Sequence, residues 1–241
     1  MQPSPQQVQA GTTGHADEGP VRPAWRLGAL TMAMLGVWTV VALASMVVLG
    51  LHVRRLDDAA QSGGPSVLEV SDALPRLALL AQAVAVLCTA VLFVLWLRRA
   101  YDNAERIMHL PQRFGRPWVT YGWIIPVAHL WAPKLIVDDV WAASTGRASG
   151  HDRRWVTAWW VCWLVYLVGG NFALSLDDDG DLAAERTQAI VSILLIVPGL
   201  AAAALAATLI WKINTTQQAQ GDRMAAATAT TTPPSAPRPG I

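Results

Sequence analysis

Hydrophobic and polar positions along this chain alternate in blocks far longer than a helical or strand period. Four stretches contain no Asp, Glu, Lys or Arg: 27–51, 77–97, 155–176 and 187–211. Each has at least 21 residues. At about 1.5 Å rise per residue, that is enough helix to cross a hydrocarbon core of about 30 Å. The pattern predicts an all-α integral membrane four-helix bundle. Residues 24–213 form its four-span domain. The tails, 1–23 and 214–241, are poor in bulky apolar groups and rich in Gln, Thr, Ala and Pro, so both are expected to be disordered. The polar N-terminus and the length of the first run argue against a cleaved secretory signal.

The longest segment between spans has structure of its own. Arg98, Asp102 and Arg106 follow one another at i,i+4, which extends the second span as a solvated helix until Pro111. Residues 118–133 then carry no charge but are interrupted by Gly122, Pro126 and Pro133. Gly122 and Pro126 are expected to break any helix there. A fifth span would reverse the charge asymmetry below, and irregular backbone survives at membrane depth only against protein or water. Residues 118–143 are therefore expected to be a re-entrant or interfacial element, received by an aromatic stripe of the third span (Trp155, Trp159, Trp163, Tyr166). After Pro133, Ile136, Val137, Val140 and Trp141 fall on one helical arc and Lys134, Asp138 and Asp139 on the other.

Composition agrees with the membrane assignment: 53% of residues are hydrophobic and 15% charged, against about 25% charged in soluble domains. Charge also supplies an orientation. Fourteen Arg and Lys residues lie in the two tails and the long segment, against four in the other two loops. The positive-inside rule puts both tails and the long segment on the cytoplasmic side of the cell membrane. Arg54 and Arg55 dissent, but Arg at a span end can snorkel. Eleven of the twelve Trp residues gather at the same side, leaving Trp38 near mid-membrane.

The string Trp123-x-x-Pro126-x-x-His129-Leu130-Trp131-x-Pro133, preceded by Arg99-x-x-x-Asn103, resembles the bacterial, largely actinobacterial, membrane proteins of domain-of-unknown-function family 4328. The similarity covers roughly residues 70–213. Asn is commoner in that family at the position of His129, where this chain departs. The resemblance implies a multi-span helical membrane protein and no established activity.

Candidate chemistry is sparse. No span carries a charged residue at mid-depth. Thr31, Thr39, Ser45, Gln82, Thr89, Asn171, Gln188 and Ser192 are expected to bond between helices, and Cys88 and Cys162 to be small core residues. Pro198-Gly199 predicts a bend in the fourth span, beside an Ala-rich run that admits a close neighbour. His109, His129 and His151 share the long segment with Asp102, Glu105, Asp138, Asp139 and Asp152, but no spacing matches a ligand motif. The acidic run Asp177–Asp181 does not fit an EF-hand. No cofactor is implied.

The leading expectation is a non-enzymatic interaction or scaffold protein acting through Asn103, Arg113, Trp123, Pro126, His129, Trp131 and Pro133. Its partners would be the lipid bilayer, an anionic lipid, another membrane protein or a second copy of the chain, and not nucleic acid. Two alternatives stay open. A small-solute transporter or channel would line a path with Gln82, Asn171 and Gln188, and a membrane-surface enzyme would use His129 with Asp138 or Asp139.

Overall fold

A computed structural model describes residues 23–62, 73–108, 113–146, 153–176 and 182–231. They form seven helices: α1 (Trp25–Ser62), α2 (Ala73–Met108), α3 (Trp118–Ile124), α4 (Pro126–His129), α5 (Ala132–Thr145), α6 (Arg154–Leu174) and α7 (Leu182–Thr231). No strand occurs among the described residues. Helices α1, α2, α6 and α7 are long and apolar enough to cross a membrane; α1, α2 and α7 each contain one of the four uncharged stretches, and α6 covers the other as far as Leu174. The N-terminal tail to residue 22, His109, His151, Asp152 and Asp177–Asp181 lie outside the described residues.

The spans are packed as an arc. α1 lies against α2 and α7, and α6 lies against α7, whereas α2 and α6 make no comparable contact. Their outward faces are apolar: Val40, Val47, Leu87, Val168 and Leu194 are all exposed. Apolar surface on that scale is unfavourable in water and neutral in lipid. Small residues allow the close approaches. Ala42, Ala202, Ala203 and Ala206 are buried, and a Cβ on Gly199 would stand 2.7 Å from Trp38 Cη2 and 2.9 Å from Tyr166 Cδ2. α7 continues as helix through Pro198.

Several expectations are corrected. Of the polar residues in the spans, Ser45 does reach another helix, bonding the Ala78 carbonyl of α2 at 3.4 Å. Thr31, Thr39, Thr89 and Asn171 bond carbonyls one turn back on their own helices. That satisfies the donor without a second helix. Cys88 is exposed on the outer face of α2 rather than in the core, and Cys162 is half-buried; both are free thiols. The helix of the fourth span also does not give way to disorder at residue 214. α7 runs on to Thr231, because Ile213 and Gln217 are buried against the rest of the protein. Composition missed this since the groups holding the extension are amides rather than bulky apolar side chains.

The two ends of the bundle differ. At one end His52 Nε2 meets Glu185 Oε1 at 2.9 Å, and Arg186 Nε meets Asp57 Oδ1 at 2.6 Å, tying α1 to α7. At the other end α3, α4 and α5 close over the spans as an aromatic cap.

Candidate interaction face: the aromatic cap

The cap begins where the helical extension of α2 ends. Asp102 pairs with Arg116 at 2.8 Å, Arg113 pairs with Asp139 at 3.0 Å, and the Tyr101 hydroxyl donates to the Phe114 carbonyl. These contacts fold the connection back along α2.

α3 and α4 are separated by one extended residue, Ile125, with φ −76° and ψ 117°. The ring of Pro126 excludes the α conformation from the residue before it and then opens α4, where its missing N–H costs nothing. The break expected at Pro126 is therefore present. The break expected at Gly122 is not: Gly122 lies inside α3 and is buried. A Cβ there would stand 3.3 Å from the Ala132 Cβ, so glycine serves the close packing of α3 on the start of α5. Pro133 falls in the first turn of α5, and Gly146 at φ +64° closes that helix, with its N–H bonded to the Ala142 carbonyl.

α5 buries Ile136, Val137, Val140 and Trp141 as its periodicity predicts. Asp138 was expected on the solvated arc but is 1% exposed. Its carboxylate is held by Lys134 at 2.8 Å, which supplies in the interior the charge partner a buried carboxylate requires. Burial raises the Asp139 carboxyl above the usual carboxylate range against the pull of Arg113, and the charge of Asp138 raises it further.

The inward side of the cap is aromatic. Trp123 stacks edge-on against Phe93 of α2 at 5.7 Å, His129 at 5.7 Å and Trp160 of α6 at 6.1 Å. The receiving surface on α6 is thus Trp159 and Trp160, with Trp163 deeper, whereas Trp155 is exposed under the Arg154 guanidinium. His129 Nδ1 lies 2.9 Å from the Trp123 carbonyl. A carbonyl only accepts, so Nδ1 carries the hydrogen and staples α4 to α3 across the break. An asparagine amide can donate in the same way, so the departure at this position leaves the staple intact.

A polar knot, unnoticed in the sequence, anchors the cap to α7. Asn103 Nδ2 donates to Gln217 Oε1 at 3.2 Å, and Gln217 Nε2 donates to the Ala100 carbonyl and to Ser144 Oγ, both at 2.9 Å. Gln220 Nε2 reaches the Ser144 carbonyl at 3.0 Å, and Trp96 Nε1 reaches Asn214 Oδ1 at 2.9 Å. A signal existed: Ile210, Ile213, Gln217 and Gln220 continue the buried stripe of α7 at helical spacing.

The expected tract therefore divides. Asn103, Trp123, His129 and Pro133 face inward as anchors. Pro126, Trp131 and Arg113 face outward. Around Pro126 and Trp131 the sequence reading overlooked Tyr121, Ile124, Val127 and Leu130, which are exposed, Val127 by 74%. No hydrogen bond joins His129 to Asp138 or Asp139 among the described residues, and none of their His, Cys, Asp and Glu side chains cluster to hold a metal ion. The Asn171 amide bonds its own helix and is exposed.

This combination of an all-helical fold among the described residues, four apolar spans and an aromatic helical cap on one end defines a membrane protein. More particularly, the chain belongs to the domain-of-unknown-function family DUF4328, whose model matches residues 60–215. No curated protein and no solved structure matches it.

Proposed function

We propose that this is a multi-pass protein of the cell membrane, with both tails and the aromatic cap on the cytoplasmic side, that acts as a non-enzymatic scaffold for another membrane protein. The observation that carries this reading is the outward surface of α3 and α4. Ile124, Val127, Leu130 and Trp131 are exposed together, on an element fixed from beneath by the Trp123–His129–Trp160 cluster. A rigid apolar face loses little conformational freedom when a partner covers it. Re-entrant or interfacial placement would set this face at headgroup depth, beside the arginines of the inner leaflet.

The test is affinity capture from gently solubilised membranes, comparing the native chain with Val127→Glu and Leu130→Glu. Both substitutions lie on the outside and leave the anchors untouched. The native chain is expected to retain a consistent membrane protein that both variants lose. Identical recovery from all three would refute the scaffold. Enrichment of anionic phospholipid alone would replace it with lipid docking.

A further inference from the structure

Positive charge is left over at the start of α6. In the cap, Arg116 is matched by Asp102 at 2.8 Å, Arg113 by Asp139 at 3.0 Å and Lys134 by Asp138 at 2.8 Å. Arg153 and Arg154 make no ion pair among the described residues. Arg153 does pull the Asp139 carboxyl downward, but less than Arg113 does. One carboxylate is thus shared by two guanidiniums, and Arg154 beside them has none.

Beside these charges the surface of α6 is hollowed. Arg153, Arg154 and Thr157 border a shallow cleft that continues over Ala158, Val161 and Cys162. Ala158 and Cys162 lie one and two turns below Arg154, and their small side chains leave the hollow. Arg154 is exposed, with its guanidinium 5.7 Å from the Trp155 ring centroid, a contact that holds the charge near the helix start. Below the cleft, Val165 and Val168 continue the exposed line begun by Val161. The surface therefore changes from cationic to apolar within about two turns of one helix face.

Depth narrows the choice of ligand. α6 has 21 residues, or about 32 Å of helix, and a hydrocarbon core is about 30 Å thick. A span of that length has little to spare, so Arg154, its first residue, stands at the boundary between headgroups and acyl chains. Trp155 is exposed beside it and has the amphipathic ring favoured at that level. The occupant must be anionic at the arginines and apolar a turn or two deeper. A soluble anion meets only the first demand, and an uncharged acyl chain only the second. An anionic phospholipid meets both, because guanidinium pairs strongly with phosphate oxygens and basic pockets beside spans hold such headgroups. A zwitterionic phospholipid is weaker, since its own ammonium competes for the phosphate.

We infer that the start of α6 binds one anionic phospholipid, its phosphate between Arg153 and Arg154 and an acyl chain along Ala158, Val161 and Cys162. The site lies on α6 rather than on the outward face of α3 and α4, and it does not depend on the scaffold reading.

The experiment uses the purified full chain, with no protein partner, in detergent containing equimolar phosphatidylglycerol and phosphatidylethanolamine. Native mass spectrometry then counts the lipids retained. The native chain should hold phosphatidylglycerol in several-fold excess, and Arg153→Gln/Arg154→Gln should bring the ratio close to one. Arg98→Gln/Arg223→Gln, which removes two exposed arginines elsewhere, should keep the excess. Ala158→Trp, which fills the cleft and spares both charges, should lose it, a comparison that stands even if the arginine variant does not fold. The acyl track has its own readout in the free thiol of Cys162, with the exposed thiol of Cys88 on α2 as internal reference. Phosphatidylglycerol should slow the reaction of Cys162 with a small apolar disulfide several-fold relative to Cys88. Glycerophosphoglycerol, the headgroup without its chains, should not. No excess of phosphatidylglycerol, or an excess lost equally in Arg98→Gln/Arg223→Gln, would overturn the site in favour of diffuse charge. Protection of Cys162 by the headgroup alone would make it a site for a soluble anion and overturn the lipid.

Discussion

Asn103 and Gln217 lie 114 residues apart and share a buried hydrogen bond of 3.2 Å that joins α2 to α7. Gln217 also donates to the Ala100 carbonyl and the Ser144 hydroxyl, so one amide links three helices and is only 2% exposed. Replacing it by Leu leaves Asn103 and Ser144 facing an apolar group. The expected loss is about 1–3 kcal/mol, the cost of stranding buried polar partners, read as a lower thermal midpoint in detergent. Asn103→Leu combined with Gln217→Leu should cost less than the sum of the two, because each removes the other's orphan. A fully additive pair would show that the knot is not a unit.

The close approach at Gly199 gives a second expectation. Gly199→Ala would push a Cβ to within 2.7 Å of the Trp38 ring and 2.9 Å of the Tyr166 ring, and rigid rings yield only by moving α1 or α6 away from α7. A destabilisation of about 1–3 kcal/mol is expected for such overpacking. Gly36→Ala is the control, since nothing lies within 4 Å of its Cβ position. Its thermal midpoint should be unchanged or slightly raised. Equal effects at both positions would mean that helix propensity, not packing, sets the response.

What the sequence disclosed and what it hid follow from the range of the interactions. The spans were legible because each is a property of one continuous stretch. Pro126 could be read because a proline constrains its own neighbour whatever surrounds it. Gly122 was misread because its role depends on Ala132, a contact no local pattern reveals. Asp138 was placed in water by its helical phase, yet Lys134 one turn away made burial tolerable. The helix beyond residue 213 was hidden for the same reason as the knot: Gln217 looks like tail composition until its partners on α2 and α5 are known.

Asp139 gives a dependence on pH. Burial raises its pKa above the unfolded value, while Arg113 at 3.0 Å pulls the other way. For an acid whose folded pKa is raised, ionisation opposes folding. The penalty is absent below the unfolded carboxylate range and grows as pH rises through the folded pKa. Arg113→Ala removes the opposing attraction, so the variant's pKa should rise further and its penalty should be larger. Thermal midpoints of variant and native protein should converge near pH 4 and separate progressively toward pH 7, with the variant lower. A gap that is constant with pH would mean that Arg113 acts through packing of its side chain alone.

The orientation proposed for the chain rests on fourteen cationic residues against four, and it can be tested without knowing any partner. The native thiols sit within the spans, Cys88 exposed on the outside of α2 and Cys162 half-buried, so Cys88→Ala/Cys162→Ala gives a background free of them. Gly221→Cys then puts a single thiol on the α7 extension beyond the cap, and Asp57→Asn with Asp58→Cys puts one at the opposite end of α1. With intact cells, a membrane-impermeant maleimide should label position 58 and leave position 221 unmodified until the membrane is permeabilised. Because α1 and α7 cross between these two ends, one chain in one orientation must give opposite answers at the two positions. The reverse pattern would place the cap outside and remove the inner-leaflet setting of the scaffold. Labelling of both positions in intact cells would mean that α1 does not separate two aqueous compartments, and the assignment of the long helices as spans would fail with it.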